Sequence, residues 1–263
     1  MEQIIQSYED KGYYLAKSVF TDEFCMYLKK QLSSMTSKID IPYSGVPWGY
    51  GNLVDTPPFN DIVKDKFIVD FCMNLFKDKY IFNHLMINNK ASWIGSAVEF
   101  HQEIFNVDSY APGYSKDDWK NFMQIYIALD EHTVENGCLV VIPESHKLGI
   151  LSHEDIVGDN LGHKRRVTHK AMHSAYETCG KMTVLMKPGD ILFFNHKLVH
   201  GSGTNVSETD RKSVVLQVRR DIKNKDDDIF EKETLYRRNY TITQLSKKID
   251  DIKSKNMYKD FKK

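Results

Sequence analysis

A double-stranded β-helix, a jelly-roll built mainly of β-strands with flanking helices, is predicted by three features of the sequence. Between about 81 and 220 the chain carries short β-prone runs near 81–88, 91–100, 122–130, 138–142, 182–186, 190–194 and 213–220, separated by turn signals. Ahead of them lie two stretches in which apolar residues recur at helical spacing. The chain has 263 residues, 41% of them apolar, with 14 Phe, 14 Tyr and 3 Trp, enough for one β-rich domain with a sizeable core.

Taken in order, residues 1–40 read as a short strand and a flanking helix. The helix begins near Thr21, with Asp22 and Glu23 at its positive end and Phe24, Met26, Tyr27, Leu28 and Leu32 as its core stripe. From 41 to 60 the sequence turns to Pro, Gly and aromatics, a structured loop whose Tyr43, Trp48 and Tyr50 are expected to pack over a barrel end. A second helix follows over about 61–79. Within the strand-rich part, 104–120 is a polar insert bearing Pro and Gly, placed to act as a lid. A second insert, 149–178, is rich in His and basic residues. Inside it Ser152 is expected to N-cap a short helix with Glu154 and Asp155 in its first turn, and Lys164, Arg165 and Arg166 read as a solvated charge run. Beyond Tyr240, Ile242, Leu245, Ile249 and Ile252 stand at helical spacing and predict a terminal amphipathic helix. The expectation is thus a single domain over 1–263, with a helical flank to about 80, a β-helix core over 81–220 and a helical tail over 221–263.

Composition excludes several functions. Lys+Arg and Asp+Glu are both 36, a formal net charge of zero, which argues against a nucleic-acid-binding surface. Cys25, Cys72, Cys138 and Cys179 lack C-x-x-C spacing, so a zinc knuckle, a redox dithiol and a disulfide framework are all disfavoured. Neither a signal-peptide pattern nor a membrane-length apolar run occurs. A cytoplasmic protein with reduced thiols and no membrane partner is expected. Oligomeric state leaves no signature.

The chemistry concentrates at His101, Glu103 and His200. His101-Gln102-Glu103 follows the β-prone Val98-Glu99-Phe100, and residues i and i+2 of a strand project from one face. His200 follows a second strand-like run, Asp190 to Phe194. Two imidazoles and a carboxylate occupy one face of an octahedral Fe(II) and leave positions open for a co-substrate and O2. The chain contains a second H-x-D/E triplet, His153-Glu154-Asp155, but its polar, capping setting marks it as structural. Arg211 stands eleven residues after His200 at the start of another strand-like run, where a guanidinium suits one end of a dicarboxylic acid. His196 and His200 share the spacing of a helical zinc pair, yet Gly201, Gly203 and the preceding strand-like run disfavour a helix. His146 reads as a turn residue bonded to backbone.

With these residues in place the chain resembles the phytanoyl-CoA dioxygenase family of Fe(II)/2-oxoglutarate oxygenases. The resemblance lies in the H-x-E…H pattern with its downstream Arg211, in the opening Tyr8 to Leu15 followed by Val19 to Glu23, and above all in Tyr126 to Lys147, which contains Glu135-Asn136-Gly137-Cys138 and Ile142-Pro143. It implies iron ligation by His101, Glu103 and His200, and a salt bridge from Arg211, assisted by Ser202, to the distal carboxylate of 2-oxoglutarate. It also implies polar contacts to the co-substrate from the upstream strand, where His84 and Asn88 stand four apart and so on one face. The usual carboxylate of the family is Asp, and Glu103 is one methylene longer. A carboxylate at this position disfavours halogenation. The implied reaction is O2-dependent hydroxylation of a small-molecule metabolite with release of succinate and CO2. The alternative is a jelly-roll binding module that keeps the fold without iron. Family members act on acyl thioesters, amino acids, nucleotide-linked compounds and natural products, so the resemblance does not choose the substrate.

Overall fold

The computed structural model describes residues 1–36, 53–103, 122–156 and 165–221. The aromatic loop at Tyr43, Trp48 and Tyr50, the 104–120 insert, Lys164 and the C-terminal helix all lie outside the described residues.

Three helices and one short strand come first. Helix α1 (Glu2–Lys11) ends at Gly12, whose left-handed φ of 81° stops it and whose N–H bonds back to Tyr8 O. Only then does strand β1 (Tyr13–Ala16) begin. The helix has no side-chain N-cap, so the sequence offers no start signal for it. Helix α2 (Asp22–Thr36) starts where Thr21 Oγ1 accepts from Phe24 N. Its inward face is Cys25, Leu28 and Leu32, whereas Met26 and Tyr27, expected in the stripe, are exposed. The 100° step from Leu28 accounts for that difference. After a 3₁₀ turn at Phe59–Lys64, Asp65 caps helix α3 (Lys66–Phe76) by accepting from Phe67 N and Ile68 N. Its buried stripe is Ile68, Phe71, Cys72 and Phe76.

The remaining strands are β2 (Tyr80–Lys90), β3 (Val98–His101), β4 (Phe122–Ala128), β5 (Leu139–Val141), β6 (His153–Asp155), β7 (Arg165–Val167), β8 (Met182–Val184), β9 (Ile191–Asn195), β10 (His200–Ser202) and β11 (Arg211–Arg220). They form a five-stranded sheet in the order β1-β9-β4-β11-β2 and a four-stranded sheet in the order β3-β10-β5-β8, every pairing antiparallel. Two sheets with such crossovers are the expected double-stranded β-helix. Alternation divides the larger sheet. Leu85, Ile87, Met123, Ile125, Ile127, Phe193, Val214 and Leu216 face the helices, where Phe71 stacks on Phe193 at 3.9 Å. Met86, Tyr126, Leu192, Phe194 and Val215 face Leu139, Val141 and Val184 of the smaller sheet. Each fully buried large apolar side chain in these layers is worth about 1.5–3 kcal/mol.

The 149–178 insert departs from expectation. Instead of a helix, His153-Glu154-Asp155 forms β6, paired with β7. Cross-strand charge explains the choice: Glu154 opposes Arg166 and Asp155 opposes Arg165, with ion pairs at 2.8 and 2.6 Å. Arg165 and Arg166 are therefore paired within the ribbon. Helix α4 (His169–Cys179) follows, capped by Thr168, whose hydroxyl accepts from Ala171 N. His146 sits in a 3₁₀ turn, its Nε2 bonded to Glu9 O at 2.8 Å.

Candidate metal centre

The strand register brings the two histidines together. His101 ends β3 directly opposite His200 at the start of β10, and β10 is flanked on its other side by β5, where Val141 opposes His200. Each imidazole is oriented by its own backbone. His101 Nδ1 bonds Glu99 O at 2.7 Å, and His200 Nδ1 bonds Leu198 O at 2.9 Å. Those carbonyls accept, so the proton resides on Nδ1 and the lone pair of each Nε2 is directed into the site. Glu103 lies just past β3, its amide held by His196 O at 2.9 Å. Its Oε1 is 3.5 Å from His101 Nε2 and 3.4 Å from His200 Nε2.

One ligand atom from each residue lies within 4.8 Å of the others, and all three residues are buried. Ligands about 2.1 Å from a metal and at right angles stand about 3 Å apart, so the set fits a divalent ion with little adjustment. Gln102, between the ligands, is 2% exposed. Its Nε2 donates to Gly149 O and Lys197 O, and its Oε1 accepts from Leu151 N. Those bonds tie the end of β3 to the segment before β6 and to the turn before β10. His196 and His200 do not form a helical pair: His196 follows β9 in a turn and packs on Phe122 at 5.4 Å. Burial lowers the His196 pKa to about 4, keeping it neutral.

Two cations lie further along the same interior. Arg211 at the start of β11 opposes Lys90 at the end of β2. Arg211 is 3% exposed and Lys90 0%. Arg211 Nη1 donates to Gly137 O, while its Nε has no hydrogen-bond partner. Lys90 Nζ donates to Ser96 O at 2.9 Å, Ser202 Oγ at 2.8 Å and Gly203 O at 2.5 Å. Burial first, and the Arg211 charge second, bring the Lys90 pKa down to about 7. The only buried carboxylates among the described residues are Glu103 and Asp190, and Asp190 is engaged by Lys17, Ser18 N and Lys187 N. Among the described residues neither Lys90 nor Arg211 has a carboxylate counter-ion. His132, beside Tyr126 at 5.6 Å, is held neutral by burial and by Arg211. The Tyr126 hydroxyl and Ser213 Oγ are buried without a hydrogen-bond partner.

Every site residue expected from the sequence can now be placed. His101, Glu103 and His200 converge. Ser202, two residues beyond His200 and about 7 Å along the strand, reaches Lys90 rather than Arg211. Asn88 opposes Ser213, next to the Lys90–Arg211 pair, whereas His84 lies further along β2 opposite Gln217. Sequence reasoning missed Lys90, because a lysine ending a strand reads as solvated. Only its register opposite Arg211 marks it as interior.

Residues 8–213 match the model of the phytanoyl-CoA dioxygenase (PhyH) family. A probable phytanoyl-CoA dioxygenase from Caenorhabditis elegans is 30% identical over 172 residues, covering 62% of this chain and 51% of the relative. The chain thus spans about half the length of that protein. EctD from S. alaskensis, solved with 2-oxoglutarate and 5-hydroxyectoine, superposes with a TM-score of 0.66 at 16% identity, over 84% of this chain and 76% of that one. The epimerase SnoN, solved with Fe3+, alpha-ketoglutarate and nogalamycin RO, gives 0.61 at 17% identity over 83% of each chain. These likenesses establish the shared fold. With the family model spanning most of its length, this chain belongs to the phytanoyl-CoA dioxygenase family.

Proposed function

We propose that the protein is an Fe(II)- and 2-oxoglutarate-dependent dioxygenase that hydroxylates a small-molecule metabolite. The observation behind this is the spacing of two buried features: a His-Glu-His set that fits a metal, and an Arg211–Lys90 pair, without a carboxylate partner among the described residues, one strand pleat away along β10. Two buried like charges side by side are costly, and an anionic ligand between them offsets that cost. A five-carbon dicarboxylate spans from one feature to the other.

In this reading His101, Glu103 and His200 hold Fe(II). Arg211 grips the distal carboxylate with its guanidinium, Lys90 adds a second charge-assisted donor, and Ser202 completes the contact. Asn88 and Ser213 line the same end, and His84 stands on the same strand face. Bound iron and 2-oxoglutarate supply, with O2, the oxidising power to break an unactivated C–H bond, and succinate and CO2 are released. The chain itself fixes geometry: Gln102 and the two backbone carbonyls hold the ligands, and the intersheet layer around Phe194, whose ring is 4.7 Å from His200, keeps water out.

The test is spectroscopic. Anaerobic addition of Fe(II) and 2-oxoglutarate should give a weak visible charge-transfer band in the wild type and none in His200→Ala or Glu103→Ala. A wild type without the band, or variants that retain it, would favour a jelly-roll binding module without iron.

A further inference from the structure

Two interior glutamines are used neither by the metal set nor by the cationic end. Gln124 on β4 and Gln217 on β11 are register partners; Gln217 also opposes His84 on β2, and Gln124 opposes Phe194 on β9. Alternation puts this row on the inner face, since Tyr126, Val215 and Phe194 share its parity and pack between the sheets. Their neighbours Met123, Ile125, Leu216 and Val218 face the helices. The row is level with the metal set, because Phe194 touches His200. Arg211 is six residues away along β11, about 20 Å of strand. The row therefore lies at the metal end of the interior, away from the cationic end.

Gln124 is 2% exposed and Gln217 5%. Gln124 Oε1 has no hydrogen-bond partner. Leucine or valine would fill these positions without desolvating an amide, so two adjacent buried glutamines weaken the empty fold. Unmet polar groups of this kind in a cleft are those a ligand completes.

We infer that Gln124 and Gln217 recognise the primary substrate, and that the part of the substrate nearest the metal is compact and polar, carrying a hydrogen-bond donor together with an acceptor. This deepens the oxygenase reading and rests on it. Gln124 Oε1 accepts from a substrate N–H or O–H, and the amide groups of the pair donate to a substrate carbonyl, carboxylate or hydroxyl oxygen. Contact at two points fixes which C–H faces the metal. A hydrocarbon chain would leave both amides unpaired, and sites built for hydrogen bonding reject such analogues by about 10⁴-fold. Oxidation of a fatty-acyl chain at a carbon remote from its thioester is thereby disfavoured.

The experiment compares wild type, Gln124→Leu and Gln217→Leu in three measurements: thermal unfolding of the apo proteins, 2-oxoglutarate affinity from the anaerobic Fe(II) band, and stimulation of 2-oxoglutarate consumption by ectoine, L-prolinamide or decanoyl-coenzyme A. Both variants should melt no more than about 2 °C below wild type, since they lose no internal hydrogen bond, and should bind 2-oxoglutarate within threefold of it. At least one polar probe should stimulate wild type more than tenfold over decanoyl-coenzyme A, and the stimulation should be lost in Gln124→Leu. A fall of more than about 4 °C in both variants would make the row structural and overturn the inference. So would a preference for decanoyl-coenzyme A. If no probe stimulates, the melting comparison decides alone. Absence of the band in wild type would sink the oxygenase reading instead, and the melting result would still report on the row.

Discussion

Lys90→Met is the most informative single change in this protein. It keeps most of the side-chain length and removes the charge beside Arg211, leaving Ser202 Oγ, Ser96 O and Gly203 O without their donor. Unit charges about 5 Å apart, the spacing of directly opposed strand positions, repel by about 3 kcal/mol at an effective dielectric of about 20, which sets the scale for Lys90 and Arg211. In the empty protein that cost works against protonation, in keeping with the lowered Lys90 pKa. When a carboxylate sits between the cations, the sign reverses, and a charge-assisted hydrogen bond contributes about 1.5–3 kcal/mol. Lys90→Met should therefore weaken 2-oxoglutarate about 10- to 150-fold, with Fe(II) affinity changed less than threefold. A pH signature accompanies the loss. The folded pKa of about 7 lies below the ordinary lysine value of 10.5, so between these limits the unfolded chain holds more protons than the folded one. Stability of the apo wild type should rise as pH goes from 7 towards 10, whereas 2-oxoglutarate affinity should fall over the same window as the cation is lost. Calorimetry in buffers of different ionisation enthalpy should register proton uptake on binding at pH 8. Co-substrate affinity within threefold of wild type, with an unchanged pH profile, would refute Lys90 as part of the anion site.

Two further outcomes follow from the same geometry. Arg211→Ala should weaken 2-oxoglutarate at least 100-fold in a titration of the charge-transfer band and leave Fe(II) binding nearly intact; equal loss of both would contradict its assignment to the diacid end. Gln102→Leu removes three buried hydrogen bonds and leaves Gly149 O, Lys197 O and Leu151 N short of a partner, so at about 1 kcal/mol or more each the melting temperature should drop by roughly 6–12 °C, with Fe(II) affinity falling alongside. An unchanged melting curve would mean that the ligand segment is held by other contacts.

What the sequence shows and what it hides divides along a physical line. Periodicity and turn chemistry are local, so most strands of both sheets and helix α3 are legible from short windows. The clustering of His101, Glu103 and His200 is legible too, because the first two stand two apart after a β-prone run and His200 follows another. Register is not local. Lys90 becomes an interior cation only when β2 pairs with β11, which starts more than a hundred residues later. The same holds for Gln124 and Gln217, which in sequence are two polar residues in apolar strands and in the fold are neighbours. Long-range charge likewise overrides a local signal at His153-Glu154-Asp155, where a fair helix start becomes a strand because Arg165 and Arg166 stand opposite. Helix α1 is hidden for the opposite reason: it has a good stop at Gly12 and no start signal.

Strand β10 explains why the metal set and the cationic end should behave as one device. It is only three residues long, yet it carries His200 at one end and Ser202 at the other, and both its edges are hydrogen-bonded, to β3 on one side and β5 on the other. Lys90 then crosses from the larger sheet to Ser202, so the segment is pinned from three directions. A strand this constrained cannot move one end without the other. Glu103 fits the same logic. It lies beyond the last paired residue of β3, with its amide anchored to the turn before β10, so its longer side chain reaches back to a point nearly equidistant from both Nε2 atoms. The extra methylene relative to aspartate is absorbed by where the backbone turns away, and the carboxylate arrives on the same face as the imidazoles.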